Sequence, residues 1–85
     1  MNQAIQFPDR ETWDDEKLAV CFPALVNGMQ MMCAIKGATL VHRFGEGFPL
    51  DLFREHRWDL EEEASDVIRS GEEDDQGWFW VSCSR

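Results

Sequence analysis

Three acidic runs are the first candidates for chemistry, because carboxylates bind cations. They are 14–16, 61–63 and 72–75. A calcium loop needs alternating oxygen ligands, a glycine at its sixth position and a distal bidentate glutamate. Here the acids are consecutive, and consecutive side chains of a strand or a helix point in different directions. We therefore expect solvated carboxylates and no metal ion.

Nucleophilic and phosphate chemistry also lack a recognisable pattern. His42 and His56 are the only imidazoles, and neither lies near a serine or cysteine in a nucleophile turn. Residues 45–47, Gly-Glu-Gly, lack the spacing of a phosphate-binding loop. The sequence predicts no catalytic residue and no cofactor, and His56 is expected to be a hydrogen-bonded structural histidine.

The three cysteines, Cys21, Cys33 and Cys83, are odd in number, widely spaced and set in apolar runs. This pattern is typical of buried free thiols and has no metal-ligand spacing. The first residues contain neither a basic nor an apolar region of a signal peptide, and no stretch has the length of a membrane span. We expect a cytoplasmic protein.

Trp58 is the strongest candidate for binding. On an ideal helix it lies about 140° from the centre of the apolar stripe, so it points away from the core. Two interpretations are open. Trp58 could stack on Arg54, one turn earlier, and be shielded by a loop, or it could anchor a partner, because tryptophan is enriched at interface hot spots.

Charge and length restrict the possible partners. Seventeen acidic and eight basic residues give a formal charge of −9. This charge disfavours direct nucleic-acid binding, which depends on cations that neutralise phosphates, and leaves a basic protein as a possible partner. The 85 residues suffice for a single domain, 1–85, and are too few for a deep cleft between domains.

The elements that must position these residues include one long helix, predicted over Phe48–Gly71. Its apolar residues recur at intervals of three, four or seven, which places them on one buried face: Phe53, Leu60, Ala64, Val67 and Ile68. Pro49 suits the first helical position, and Gly71 can close the helix in the left-handed conformation.

A β-hairpin is predicted for 18–26 and 29–36, because Asn27-Gly28 between apolar runs favours a type I′ turn. The two-residue loop sets the register, so Val26 opposes Met29. One face then carries only apolar side chains and forms the floor for the long helix. Pro23 falls at a non-hydrogen-bonded position, so the Ile5 strand should pair elsewhere along the outer side of this strand.

The remaining elements complete an α+β fold of order βββααβ. Ala4–Phe7 is a strand, and Arg10–Lys17 is a turn or a short helical loop. Ala38–Phe44 is assigned as a short helix, although Thr39 and Val41 would suit a strand. Trp78–Cys83 is the final strand. We expect two layers, a small antiparallel sheet against one long and one short helix.

The second hairpin face is mixed and carries few charges. Cys21, Leu25, Met32 and Ala34 lie on it. Such a patch favours a weak two-fold homodimer through Leu25 and Met32. The alternative is intramolecular, with Trp13 and the N-terminal segment folded over this face.

Four segments carry a resemblance to a known family: IQFPDR (5–10), CFPALVNG (21–28), HRWDLEEEA (56–64) and DDQGW (74–78). With them the chain resembles the DUF1488 family of small uncharacterised bacterial proteins. The resemblance implies a compact α+β domain with a hairpin and two helices, and it implies no activity or catalytic residue. Lys36 departs from the pattern, because relatives place a small hydroxyl residue before the short helix.

Two function classes follow. The first is a non-enzymatic protein-interaction or regulatory module with partner-binding candidates Trp58, Arg54, Leu25 and Met32. The second is a small-ligand-binding or minor catalytic protein with a pocket between the long helix and the sheet. That pocket would lie near His56, Arg57 and Trp80.

Overall fold

A mixed sheet of five strands and three helices form the α+β fold in the computed structural model, which describes residues 5–81. Spatial neighbours in the sheet follow the order β1-β3-β4-β5, and β2 pairs with another part of β3. In chain order the elements are β1 (Ile5–Gln6), β2 (Thr12–Asp14), β3 (Ala19–Val26), β4 (Met29–Lys36), α1 (Gly37–Phe44), α2 (Pro49–Glu55), α3 (Arg57–Ser70) and β5 (Trp78–Trp80).

The predicted hairpin is confirmed in both its turn and its register. Asn27 and Gly28 have positive φ values of 52° and 85°, as a type I′ turn requires. Val26 pairs with Met29, and the antiparallel ladder continues to Ala19 and Lys36. The outer side of β3 pairs with β1 at residues 25–26 and with β2 at residues 19–21. Pro23 therefore lies in the gap between them, as predicted.

The prediction for Arg10–Lys17 is wrong, because Thr12–Asp14 is a strand paired with β3. Asp14 makes the return to β3 possible. Its Oδ1 accepts hydrogen bonds from the backbone N–H groups of Glu16, at 2.9 Å, and Lys17, at 3.0 Å. An aspartate side chain that accepts from the following backbone closes a tight turn, so a strand fits where a loop was expected.

The predicted single helix Phe48–Gly71 is two helices separated by His56. His56 adopts φ −113° and ψ 23°, outside the helical region. Its ring stacks on Phe44 of α1, with ring centres 3.7 Å apart and planes 4° apart. Histidine is a modest helix former, and no proline or glycine marks the position. The break coincides with packing against α1, a contact between elements that the periodicity of the sequence does not contain.

The apolar face predicted for the long helix is confirmed. Four of its five residues are buried, and Val67 packs against the core while partly exposed. Phe53 contacts Phe22 of β3, with ring centres 4.8 Å apart. Pro49 is at the start of α2, and Gly71 ends α3 with φ 74°. The core joins these helix residues to alternate residues of β3 and β4, chiefly Val20, Phe22, Ala24, Cys33 and Ile35.

The chain order and the antiparallel sheet need correction. Four strands precede the helices, and three helices precede β5. β5 runs parallel to β4, since the helices between them carry the chain back to the edge of the sheet at which β4 begins. Trp78–Trp80 form this strand and Val81 N–H donates to Ala34 O at 2.8 Å, whereas predicted strand residues 82–83 lie outside the described residues.

The short helix is confirmed as α1. Its first residue, Gly37, donates its N–H to Leu18 O at 2.9 Å. Lys36 makes no side-chain cap hydrogen bond, so the missing hydroxyl is not replaced by the side chain at this position, and the bond from Gly37 ties the start of α1 to the residue before β3. Across residues 5–81 the helices are all too short or too polar to cross a membrane.

Candidate functional site

Trp58 lies in the first turn of α3 with 83% of its surface exposed. This exposure excludes the interpretation in which a loop shields it. Arg54, expected to stack on Trp58, donates from Nε to Glu11 Oε2 at 2.9 Å instead. Leu25 and Met32 pair with other residues on the opposite face of the sheet. The four partner-binding candidates therefore form two separate surfaces, one on each side of the sheet.

Arg57 ties α3 to the N-terminal segment. Its Nη1 donates to Glu11 Oε1 at 2.5 Å. Its Nη2 donates to Phe7 O at 3.1 Å and Pro8 O at 2.9 Å, and its Nε pairs with Glu61 at 2.5 Å. A planar guanidinium suits several acceptors in fixed positions. These bonds place β1 and the residues after it beside the exposed stripe of α3.

The carboxylate of Glu11 is largely shielded within this network, with 8% of its side chain exposed. Burial alone raises the pKa of Glu11, but hydrogen bonds from Arg54 and Arg57 outweigh it and lower the pKa from 4.5 to about 2. No sequence pattern singled out Glu11. Glu11 and Arg57 are 46 positions apart, so no local pattern could have revealed their contact.

A groove of about 260 Å³ lies between the N-terminal segment and α3. Three apolar side chains, two carboxylates and one hydroxyl line it: Ile5, Phe7, Trp58, Glu61, Glu62 and Ser65. Trp58 is one of four helical residues in this lining, and the other three follow it by three, four and seven positions. This is the spacing of one helix face. We call this surface the Trp58 groove.

A second depression, of about 310 Å³, lies on the other side of Glu62 and is strongly acidic. Asp59, Glu62, Glu63 and Asp66 line it together with Arg43. Arg43 Nη2 pairs with Glu63 at 2.5 Å. Four carboxylates and one guanidinium give this part of α3 a negative potential next to Trp58.

The pocket expected near His56, Arg57 and Trp80 is not assembled. His56 stacks on Phe44, and Arg57 binds the N-terminal segment. Trp80 pairs with Ala34 and belongs to the apolar cluster on the opposite face of the sheet. Within the described range, no three potential metal-binding side chains are close enough to hold an ion.

The thiol prediction is confirmed for Cys21 and Cys33, which are buried and free. Burial raises the pKa of Cys33 to about 12 and also raises the pKa of Cys21. Neither thiol is therefore a nucleophile at neutral pH. Cys83 lies outside the described residues.

The second sheet face is covered in part by tryptophans of β5. Trp78 and Trp80, like Met32, pack against the small buried cluster on this face, Ala19, Cys21 and Ala34. Lys17 Nζ lies 4.9 Å from the centre of the Trp78 ring, and Lys36 Nζ lies 5.5 Å from that of Trp80. The alternative prediction, that Trp13 covers this face, is wrong. Trp13 pairs with Val20 and contacts Gly37, on the side of the sheet that faces the helices.

Asp74 organises the acidic loop before β5, which was expected only to be solvated. Its Oδ1 accepts from the N–H groups of Gln76, at 2.8 Å, and Trp78, at 2.9 Å. Its Oδ2 accepts from Trp80 Nε1 at 2.8 Å. The hydrogen bond from Trp78 is the largest cause that lowers the pKa of Asp74. Gly77, with φ 82°, completes the turn, so aspartate followed by glycine three positions later was a usable local signal.

Comparison with known proteins gives a consistent relationship over nearly the whole chain. A family model described as "Protein of unknown function (DUF1488)" matches residues 5–81. "Uncharacterized protein YrdB" from Escherichia coli (strain K12) is 63% identical, covering 95% of this chain and 99% of that protein. YrdB from Shigella flexneri gives the same values.

A solved crystal structure is also similar to this chain in its fold. A protein of unknown function from the DUF1488 family of Shewanella loihica PV-4 is similar with a TM-score of 0.89. Its sequence identity is 36%, and the match covers 95% of this chain and 94% of that one. The resemblance seen in the four sequence segments is thus confirmed by a family model, by related sequences and by a solved structure with a similar fold. The chain belongs to the DUF1488 family.

Proposed function

We propose that this chain is a non-enzymatic protein-interaction or regulatory module whose partner docks on the exposed stripe of α3 around Trp58. The observation that carries the proposal is the 83% exposure of Trp58. Tryptophan offers a large contact area with few rotatable bonds and is enriched at interface hot spots. Arg57, the preceding residue, is held by the N-terminal segment and by Glu61, so the backbone that presents Trp58 is already ordered before a partner binds.

The partner is a basic protein. Glu61 and Glu62 line the groove with Trp58, Asp59, Glu63 and Asp66 line the adjacent acidic depression, and the formal charge of the chain is −9. Opposite charge on a partner would speed encounter and set its orientation. Nucleic acid is a poor candidate, because its phosphates would be repelled by the same carboxylates.

We also infer that the module is a single two-layer domain of residues 1–85 that acts in the cytoplasm. The apolar residues of all three helices share one core with one face of the sheet, which supports two layers. Trp80 lies on the opposite face of the sheet from His56 and Arg57, which supports a role without catalysis. The outer stripe of α3, including Trp58, is then the side of the helix layer turned away from the sheet.

A capture experiment tests the docking surface. The tagged chain and its Trp58→Ala variant are incubated with a cytoplasmic extract of the native host at low salt, and captured proteins are quantified by mass spectrometry. We expect a basic protein that the native chain retains and Trp58→Ala loses about tenfold or more.

Phe48→Ala is the matched control, since Phe48 is another large aromatic residue with 78% exposure. This variant should retain the partner, and circular dichroism should show that both variants are folded. A set of captured proteins that is unchanged in Trp58→Ala, or lost equally in Phe48→Ala, would contradict the proposal.

A further inference from the structure

We infer that the Trp58 groove receives an arginine side chain from a partner segment, together with an apolar residue next to it. This inference rests on the proposed function and names the chemistry that the docking surface recognises. In the bound state the guanidinium lies on the Trp58 indole and pairs with Glu62. The neighbouring apolar side chain packs on Ile5 and Phe7.

The cation subsite follows from the positions of Trp58 and Glu62. They are four residues apart on one face of α3 and line the same groove, and both are exposed. An indole beside a carboxylate suits arginine, whose planar group stacks on aromatic faces while its N–H groups donate to an oxygen pair. The arginines of the chain nearest in sequence, Arg54 and Arg57, already bind Glu11. Arg43, which lines the acidic depression beside Glu62, pairs with Glu63. We therefore assign the cation on the Trp58 indole to the partner.

The apolar subsite follows from the N-terminal segment. Ile5 and Phe7 are two residues apart, so their side chains lie on the same side of the extended chain. Both are half-buried and pack against the core, which leaves part of each ring or alkyl group facing the groove. Within the described residues, β1 is the end strand of its sheet path. The groove is therefore open at the side of β1, and a partner segment can enter it there.

Titration with a defined peptide tests this inference. The chain is labelled with 5-fluorotryptophan, and the Trp58 resonance is assigned from a Trp58→Phe variant among the four tryptophans. A short peptide that alternates arginine and leucine is compared at low salt with the same peptide carrying citrulline, which has the shape of arginine without its charge. We expect the arginine peptide to shift the Trp58 resonance and the citrulline peptide to bind about tenfold more weakly.

Charge-matched variants separate local recognition from attraction to net charge. Glu62→Gln should weaken binding of the arginine peptide about fivefold or more. Glu46→Gln removes the same charge at an exposed position outside the groove and should leave the affinity nearly unchanged. Equal weakening by the two variants, equal affinity for the citrulline peptide, or shifts confined to other tryptophans would overturn the inference.

The two proposals can fail separately. If a partner is captured through Trp58 but the arginine peptide does not bind, the chemistry assigned to the groove is wrong and the docking surface stands. If Trp58→Ala captures the same proteins as the native chain and the peptide does not bind, both are wrong.

Discussion

Arg57 and Trp58 are consecutive residues with opposite environments. The Arg57 side chain is turned to the N-terminal segment and bonds to it and to Glu61 of α3, whereas Trp58 faces solvent. Neighbours on a helix point about 100° apart, so one residue can fasten the helix while the next remains available. At the residue scale, the N-terminal wall of the Trp58 groove depends on Arg57 and on its acidic partner Glu11.

Stability should fall in acid because of Glu11. Its pKa is about 2 in the folded chain and about 4.5 when unfolded. A carboxylate with a lowered folded pKa contributes its full stabilisation above the unfolded pKa and loses it as the pH falls through the folded one. We expect a loss of up to roughly 3 kcal/mol between about pH 4.5 and pH 2, measured by urea denaturation.

The control for this prediction is Glu11→Gln, which has no carboxylate to titrate at that position. Its free energy of unfolding should be lower near neutral pH and should change less over the same acidic range. If the native chain and Glu11→Gln lost stability in parallel, the acid sensitivity would come from other carboxylates.

At the scale of elements, α3 has one buried face and one exposed face. Leu60 is fully buried, while Glu62, two residues later, is exposed. Leu60→Ala should lower the free energy of unfolding by about 2 to 5 kcal/mol, since it leaves a cavity in the core. Glu62→Ala should stay within about 0.5 kcal/mol of the native value. Equal effects in chemical denaturation would show that the helix face is assigned wrongly.

The β3–β4 hairpin depends on its turn. Gly28 has φ 85°, and a β-branched side chain is strained in that region even though space for a Cβ is open. Gly28→Val should lower the free energy of unfolding by about 1 kcal/mol or more. Asn27→Gly, which keeps a positive φ accessible at the neighbouring position, is the control and should be tolerated. An unchanged denaturation midpoint for Gly28→Val would contradict the turn.

At the scale of the whole molecule, the sheet separates two surfaces of different character. The helix side carries the Trp58 groove and its carboxylates. The other side carries half-buried Met32 beside Trp78 and Trp80, with lysines at positions 17 and 36 over the two rings. An apolar face with partial cover can serve association, so the homodimer stays a prediction.

The predicted dimer is a weak two-fold contact through Leu25 and Met32. Sedimentation equilibrium at micromolar concentration should show reversible association of the native chain and a monomer for Met32→Glu, because a charge at the contact is costly to bury. A native chain that is monomeric at every concentration would reject it. If Met32→Glu also unfolded much more readily, Met32 would serve the packing of β5 instead.

The sequence by itself determined the elements whose signals are local. The Asn27-Gly28 turn set the hairpin and its register, because two positive φ values admit one pairing of the flanking strands. The apolar period from Phe53 to Ile68 identified the buried helix face, and the same period placed Trp58 on the outside. The family resemblance was also legible in four short segments.

The tertiary structure decided what depends on residues far apart in the chain. His56 lies where α2 ends, and its ring stacks there on Phe44 of another helix. β5 is parallel to β4 because three helices intervene, and the N-terminal wall of the Trp58 groove is in place because Arg57 binds Glu11 and the carbonyl groups of Phe7 and Pro8. A periodic pattern describes one element and its faces, whereas these contacts join different elements, and their geometry exists only after the elements have packed.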